Sequence, residues 1–325
     1  MLSEKYIAGF LDADGCVNLQ MHQMTNSPQL RMGFSQKTSQ DKVLYLIQEA
    51  IGGSIREVTI NNVNYSHLTI CGKTAINGLN RIKKYLVIKR HFVDVCLDLA
   101  NKSVSDKDAF KSFLKEQRRC RSLPLPNFPT RKWLAGYIDG DGCFSVGRIS
   151  PIGSARPILH IAASVFDTEG IEIIQKNFGG AVHDMCEGRV RQYILWLSPS
   201  KAVQFLNYFC EHLITKYEQA KFILGCAEMG NYRDGECIKS ALKQLKAHGH
   251  RLNEPKVDLS SFLTNLRDLP PRQYHRSYST CKVCGTDVYQ NGTRGAKGFC
   301  SICYQKNYRK EMSEKSTYAI VGAAA

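Results

Sequence analysis

Two stretches of this chain share one pattern of small, apolar and acidic residues, and each ends in an aspartate followed by a glycine. The first runs from Ile7 to Gly15 and the second from Leu134 to Gly142. Their last acids, Asp14 and Asp141, are 127 positions apart. The same offset joins Ile47-Gln48 with Ile174-Gln175, Gly52-Gly53 with Gly179-Gly180, Leu79-Asn80 with Leu206-Asn207, and Lys89 with Lys216. A constant offset over such a span indicates an internal duplication.

The duplication divides the chain. We predict a first repeat over residues 1–102, a linker over 103–127 and a second repeat over 128–230. The rest is predicted to form a basic helical extension with a hinge (231–278), a small cysteine-rich element (279–310) and a tail (311–325).

Hydrophobic periodicity predicts the order α-β-β-α-β-β-α-α within each repeat. In the first strand, Val17, Leu19 and Met21 alternate with Asn18, Gln20 and His22, which is typical of a strand with one buried face. Further strands are predicted at Leu30–Phe34, Ile55–Ile60 and Tyr65–Cys71, and helices at Asp41–Ile51, Thr74–Tyr85 and Lys89–Asn101. The expected fold class is α+β: two pseudo-symmetric αββαββα-type units, each with an antiparallel sheet backed by helices.

The charge balance favours a polyanionic partner. The formal net charge is +15 and the pI is near 9.2, which favours nucleic acid, although a solvated basic surface would give the same balance. The chain has 13 cysteines, no secretory signal at its first residues and no apolar stretch of transmembrane length. We therefore expect no membrane partner and an intracellular, reducing compartment with free thiols. Organelle, bacterial and phage-infected cytoplasm are not distinguished.

The acids at the ends of the two motifs suggest a cation site. Ala8-Gly9 and Ala135-Gly136 carry little side-chain bulk, so two motif helices could pack closely and bring Asp14 beside Asp141. A carboxylate at the C-terminal end of a helix is unfavourable, because the helix dipole is negative there. A divalent ion such as Mg²⁺ would compensate, since it binds oxygen ligands. An ordinary core helix with a chance Asp-x-Asp-Gly sequence is the alternative.

Both motifs resemble those of the LAGLIDADG homing endonucleases, in the single-chain form with two motifs, and the resemblance covers about residues 5–230. It implies that Asp14 and Asp141 bind Mg²⁺ or Mn²⁺. It also implies that the backbone of Gly15 and Gly142 lies near the metal ion and the scissile phosphate.

The resemblance also implies further catalytic residues. Lys89 and Lys216 match a lysine that lies near the active site, although both could be ordinary surface lysines. Gln36 matches the residue that organises the attacking water, and Gln40 a polar or basic residue one helical turn later. In the second repeat the offset places Ala163 and Asp167 at these two positions. We therefore expect the two DNA strands to be cut at different rates.

The exposed faces of the strands are expected to read base edges in the major groove. The two sheets would form a saddle on DNA, and their differences predict a non-palindromic site. A half-exposed sheet with no ligand is the alternative. The residues expected to contact DNA are Asn18, Gln20, His22, Arg31, Ser35, Tyr65, His67 and Thr69 in the first repeat, and Ser145, Arg148, Arg189, Arg191 and Gln192 in the second.

The C-terminal segment contains two Cys-x-x-Cys pairs, Cys281 with Cys284 and Cys300 with Cys303. Fifteen residues separate the pairs, a spacing typical of a Cys₄ site for structural Zn²⁺. Unligated thiols and a redox pair are the alternatives.

Taken with the resemblance, these features predict a Mg²⁺-dependent endodeoxyribonuclease that acts as a monomer on double-stranded DNA. An intron maturase, with intron RNA as its partner, is a second hypothesis. A DNA-binding regulator without catalysis is a third, against which the two intact motif acids argue.

Overall fold

A computed structural model describes residues 1–21, 27–100, 102–120, 124–146, 157–164, 167–187, 190–197, 199–228, 235–247, 258–267, 278–280 and 287–289. Residues 1–148 and 155–268 form one compact unit, which contains both halves of the duplication. A second unit contains residues 149–154 and 269–325.

The first half follows the predicted order of elements. It contains α1 (Glu4–Ala13), β1 (Cys16–Met21), β2 (Pro28–Lys37), α2 (Lys42–Ile51), β3 (Ser54–Ile60), β4 (Val63–Cys71), α3 (Gly72–Ile82) and α4 (Arg90–Leu99). A further helix, α5 (Lys107–Gln117), follows α4. The helix predicted at Thr74–Tyr85 starts earlier and ends earlier than expected, and a 3₁₀ turn at Lys83–Tyr85 follows it.

The second half repeats this order. It contains α6 (Arg131–Asp141), β5 (Gly142–Val146), β6 (Pro157–Ser164), α7 (Glu169–Phe178), β7 (Ala181–Glu187), β8 (Val190–Leu197), α8 (Pro199–Phe209) and α9 (Tyr217–Glu228). Two more helices follow, α10 (Gly235–Ala247) and α11 (Leu259–Arg267). The α+β class with two repeated units is therefore confirmed.

Each half contains a four-stranded antiparallel sheet, with the strand orders β1-β2-β4-β3 and β5-β6-β8-β7. The strand pairing keeps the sequence offset of 127 without a shift. Equivalent pairs are Cys16 opposite Gly33 and Cys143 opposite His160, Gln36 opposite Ser66 and Ala163 opposite Tyr193, and Ser54 opposite Thr69 and Ala181 opposite Trp196.

One face of each sheet packs under helices, because apolar residues occupy alternate positions of the strands. In the first sheet Leu30, Met32 and Phe34 of β2 are buried, as are Leu68 and Ile70 of β4. Burying one such side chain stabilises the fold by about 1.5–3 kcal/mol. The other face of the first sheet carries the polar residues and stays half-exposed or exposed.

The motif helices α1 and α6 pack backbone to backbone at their glycines. A Cβ atom built on Gly9 would lie 2.0 Å from the carbonyl oxygen of Trp133, and one on Gly136 would lie 2.1 Å from that of Tyr6. Only glycine permits this approach. The helix contact expected from the small motif residues is therefore present.

The second unit contributes an antiparallel pair of short strands, Tyr278–Thr280 and Asp287–Tyr289, among its described residues. All four cysteines of the predicted zinc site lie outside the described residues, so that the site stays a prediction. Within the described part of the chain, no helix is long and apolar enough to cross a membrane.

Candidate active site

The C-terminal ends of α1 and α6 bring the two motif acids together. Asp14 is the C-cap of α1, and its amide donates to the carbonyl of Phe10 at 3.0 Å. Asp141 is the last residue of α6. A Cβ atom on Gly140 would lie 2.3 Å from the Cβ of Ala13 and 3.5 Å from the Cγ of Asp14. The helix ends thus touch where the acids lie.

The electrostatics of the two acids fit a divalent cation. Burial, followed by the charge of Asp14, raises the pKa of Asp141 to about 7, whereas the charges of Lys89 and Lys216 lower it. Two carboxylates that repel one another in this way are stabilised by a shared cation. Their oxygen atoms are the donors that Mg²⁺ and Mn²⁺ prefer. Among the described residues, no third histidine, cysteine, aspartate or glutamate completes a metal-binding group.

The side chains of the two predicted lysines cap the C-terminal ends of the motif helices. The Nζ of Lys89 donates to four carbonyl oxygens between Leu11 and Gly15, at 2.7–3.1 Å. The Nζ of Lys216 donates to three between Ile138 and Gly140, at 2.6–2.9 Å. The last carbonyls of a helix lack partners within it, and a cation is favourable at this end.

This arrangement changes the electrostatic argument made from the sequence. The ammonium groups of Lys89 and Lys216 already offset the unfavourable placement of Asp14 and Asp141 at helix C-termini. That placement alone therefore does not require a metal ion. The burial of Asp141 and its closeness to the charge of Asp14, which together raise the pKa of Asp141, are the stronger reason to expect one.

Gln36 and Gln40 have different surroundings. The Nε2 of Gln36 donates to Oδ2 of Asp14 at 2.6 Å, so that Gln36 lies at the paired acids. The Nε2 of Gln40 instead donates to the backbone oxygen of Lys246 in α10, at 3.2 Å. In the second half, Ala163 occupies the register position of Gln36. The charge of Asp167 contributes to the raised pKa of Asp141.

Two basic residues near the motif ends do not belong to the predicted catalytic or base-reading residues. The Nζ of Lys246 in α10 lies 3.5 Å from the Sγ of Cys143, which directly follows the second motif. Arg119, just after α5, lines a cavity of about 400 Å³ together with Gly15, Cys16 and Asp167. Lys246 and Arg119 are also 127 positions apart, so the offset extends beyond the predicted repeats and could have identified both.

The predicted DNA-reading residues of the first half share one face of the sheet. This face lies opposite the helices and also carries Arg56 of β3, which pairs with His67 and was not predicted. Arg31 donates a hydrogen bond to Gln20 across β1 and β2. The predicted residues on this face are Asn18, Gln20, Arg31, Ser35, Tyr65, His67 and Thr69.

In the second sheet, Ser145 of β5 lies near His160 of β6. The Oγ of Ser145 and Nε2 of His160 lie 3.5 Å apart. Gln192 occupies the register position of Tyr65, and Arg191 that of Asn64. Three further residues predicted to contact DNA lie outside the described residues, namely His22, Arg148 and Arg189.

The repeated halves match known protein sequences. A family model described as LAGLIDADG endonuclease matches residues 7–93 and 134–228. DNA endonuclease I-CvuI of Chlorella vulgaris is 30% identical over 110 residues, which cover 32% of this chain and 66% of that protein. The match therefore spans slightly less than two thirds of the relative.

Solved structures share the fold at low sequence identity. The homing endonuclease I-GzeII, in complex with its DNA target, is 15% identical with a TM-score of 0.58, and the match covers 78% of this chain and 100% of that one. I-SmaMI, bound to uncleaveable DNA, is 17% identical with a TM-score of 0.56, covering 77% and 98%.

Proposed function

The chain belongs to the LAGLIDADG endonuclease family, and from this premise we propose that it is a site-specific homing endonuclease. Its substrate is double-stranded DNA with a long, non-palindromic target site. The reaction is the hydrolysis of phosphodiester bonds with a divalent metal ion.

The contact between the two motif helices is the observation that carries this proposal. The backbones approach so closely at Gly9 and Gly136 that both helices must end side by side. This contact places Asp14 at the end of α1 close to Gly140 and Asp141 at the end of α6. Burial and, after it, the charge of Asp14 raise the pKa of Asp141. A structural helix pair has no need for two acids at this point, whereas a metal-dependent phosphodiesterase does.

Asp14 and Asp141 would hold Mg²⁺ or Mn²⁺, beside the backbone of Gly15 and Gly142. Such an ion would make a bound water molecule more acidic and would stabilise negative charge on phosphate oxygens. Gln36 orients the carboxylate of Asp14 through its hydrogen bond. Lys89 and Lys216 fix the two helix ends and add positive charge near the reacting phosphates.

The open faces of the two sheets are the proposed DNA-binding surface, with the sheets forming a saddle on the duplex. Polar and basic side chains cover this face of the first sheet, and the net charge of +15 favours phosphate contacts. I-GzeII and I-SmaMI, which share the fold, were both solved with DNA. The residues on the two sheets differ at most equivalent positions, which favours a target without twofold symmetry.

The proposal includes a monomeric enzyme, because one chain supplies both motifs. It also includes the structural Zn²⁺ site at Cys281, Cys284, Cys300 and Cys303, which rests on the spacing of these cysteines alone. A zinc determination on the purified chain, with and without the four cysteines, tests that part separately.

Cleavage selection against a library of randomised duplexes tests the proposed function. The purified protein is incubated with the library and Mg²⁺, and parallel reactions contain EDTA or the double variant with Asp14→Asn and Asp141→Asn. We expect recovery of one family of long, asymmetric sites only in the reaction with active protein and Mg²⁺. Recovery of no site would contradict the proposal, and promotion of intron splicing by the same preparation would then favour the maturase hypothesis.

A further inference from the structure

Two buried hydrogen bonds cross between the motif helices. The hydroxyl of Tyr6 in α1 donates to Oδ2 of Asp139 in α6 at 2.5 Å. The indole Nε1 of Trp133 in α6 donates to Oδ2 of Asp12 in α1 at 2.9 Å. Tyr6 and Trp133 are 127 positions apart, as are Asp12 and Asp139, so the two bonds are equivalent under the duplication. All four side chains are at most 2% exposed.

Asp12 and Asp139, which accept these bonds, also accept hydrogen bonds from backbone amides just before α4 and α9. Lys89 precedes α4 and Lys216 precedes α9. Asp12 accepts hydrogen bonds from the amides of Val87 and Lys89, at 2.7 and 2.8 Å. Asp139 accepts three, at 2.7, 3.2 and 2.8 Å, and their donors are the amides of Ile214, Thr215 and Lys216. Each acid therefore fixes the backbone of the lysine in its own half.

A buried carboxylate depends on each of its hydrogen-bond donors, because water does not reach it. Asp12 and Asp139 are almost fully buried, so the described hydrogen bonds that each accepts replace contacts with water. A buried carboxylate that loses one donor rotates or shifts to recover it, because an unsatisfied charge is costly. The amides on the same carboxylate would move with it, and the lysine would follow.

We propose that Tyr6 and Trp133 are crossed positioning residues. Tyr6, in the first half, positions Lys216 of the second half through Asp139. Trp133, in the second half, positions Lys89 of the first half through Asp12. The packing of α1 on α6 therefore sets the positions of both lysines, and a shift of either helix would move the lysine of the other half. The catalytic part of this inference rests on the proposed function.

Cleavage rates measured separately for each DNA strand test whether Tyr6 acts on Lys216 and Trp133 acts on Lys89. Lys89→Met and Lys216→Met first identify which DNA strand depends on each lysine. Tyr6→Phe, which removes only the hydroxyl, should then slow the strand that depends on Lys216 by roughly tenfold, and change the other strand little. Trp133→Phe should slow the strand that depends on Lys89. Single-turnover rates are measured on a selected duplex labelled on both strands.

Tyr137→Phe is the matched control. Tyr137 is a buried tyrosine of α6 whose hydroxyl has no hydrogen-bond partner among the described residues, and its equivalent in the first half is Phe10. This variant should keep the wild-type ratio of the two strand rates. Equal slowing of both strands by Tyr6→Phe, or slowing of the strand that depends on Lys89, would contradict the inference.

Amide hydrogen exchange in the free protein gives a second readout, which needs neither DNA nor metal. Tyr6→Phe should accelerate exchange at Ile214, Thr215 and Lys216, and leave Val87 and Lys89 at their wild-type rates. Trp133→Phe should do the reverse, so either variant suffices if the other does not fold. Unchanged or equal exchange at both loops overturns the inference. A wild-type protein that cuts no duplex contradicts the proposed function instead, and the exchange experiment still stands.

Discussion

The side-chain amide of Gln36 donates a hydrogen bond of 2.6 Å to Oδ2 of Asp14, whereas the equivalent position in the second half is occupied by an alanine. The strand register, which is not shifted between the halves, places Ala163 at the position of Gln36, and alanine has no side-chain amide that could donate such a bond. The first motif acid thus has an orienting partner that the second acid lacks at this position. The difference leads to a prediction about the two DNA strands.

We predict that the wild-type enzyme cuts the two strands at different rates and that Gln36→Ala reduces the difference. The faster strand should slow by about tenfold, because removal of an orienting partner has effects of this size. Gln48→Ala is the control, because it removes a half-buried glutamine whose side chain donates to the backbone oxygen of Gly53, just after the end of α2. Equal strand rates in the wild type, or a ratio unchanged by Gln36→Ala, would argue against this role.

The helix contact predicts a large stability effect of one methyl group. Gly136→Ala would place a Cβ atom 2.1 Å from the carbonyl oxygen of Tyr6, and neither backbone can move without separating the helices. We expect a loss of about 3 kcal/mol in the free energy of unfolding. In a domain of this size, that corresponds to a fall of roughly 10 °C in Tm.

Gly225→Ala is the control for this measurement. Gly225 also lies within a helix, but its Cβ atom would meet only the flexible end of Leu263, at 2.9 Å. Its effect should stay under about 1 kcal/mol, because the gain in helix propensity offsets the contact. Thermal unfolding followed by circular dichroism compares the two, and similar Tm values would show that the close approach is not essential.

Lys246 is predicted to contact a DNA phosphate beside the second motif acid. Its Nζ lies 3.5 Å from the Sγ of Cys143, an exposed residue on the open face of β5. Lys246→Met should therefore reduce the slope of log Kd against log salt concentration by about 1. Lys176→Met, on α7 behind the same sheet, should leave the slope unchanged. An unchanged slope for Lys246→Met would exclude the phosphate contact.

The sequence predicted the fold well because the duplication and the strand alternation are local patterns. Alternate apolar residues such as Leu30, Met32 and Phe34 define the buried face of β2, and the polar face follows from geometry alone. The helix ends at Gly52 and Gly179 were also predictable, because helices often end at a glycine with a positive φ, as both residues have.

The site was less predictable where it depends on contacts between distant elements. The crossed bonds of Tyr6 and Trp133 depend on how two helices cross, which no periodicity encodes. The capping of α1 by Lys89 depends on the loop before α4, and the contact of Gln40 with α10 depends on a helix beyond the predicted repeat. The offset of 127 nevertheless relates Tyr6 to Trp133 and Arg119 to Lys246.

We propose that Asp14 and Asp141 together form one catalytic centre. The most direct measurement is plasmid cleavage by Asp14→Asn and Asp141→Asn with Mg²⁺ at a selected target site, together with duplex binding. We expect either substitution to abolish double-strand cleavage while binding persists, because the change removes a charge and leaves the β-strands that are proposed to contact DNA intact. Double-strand cleavage at the wild-type rate by both variants would contradict it.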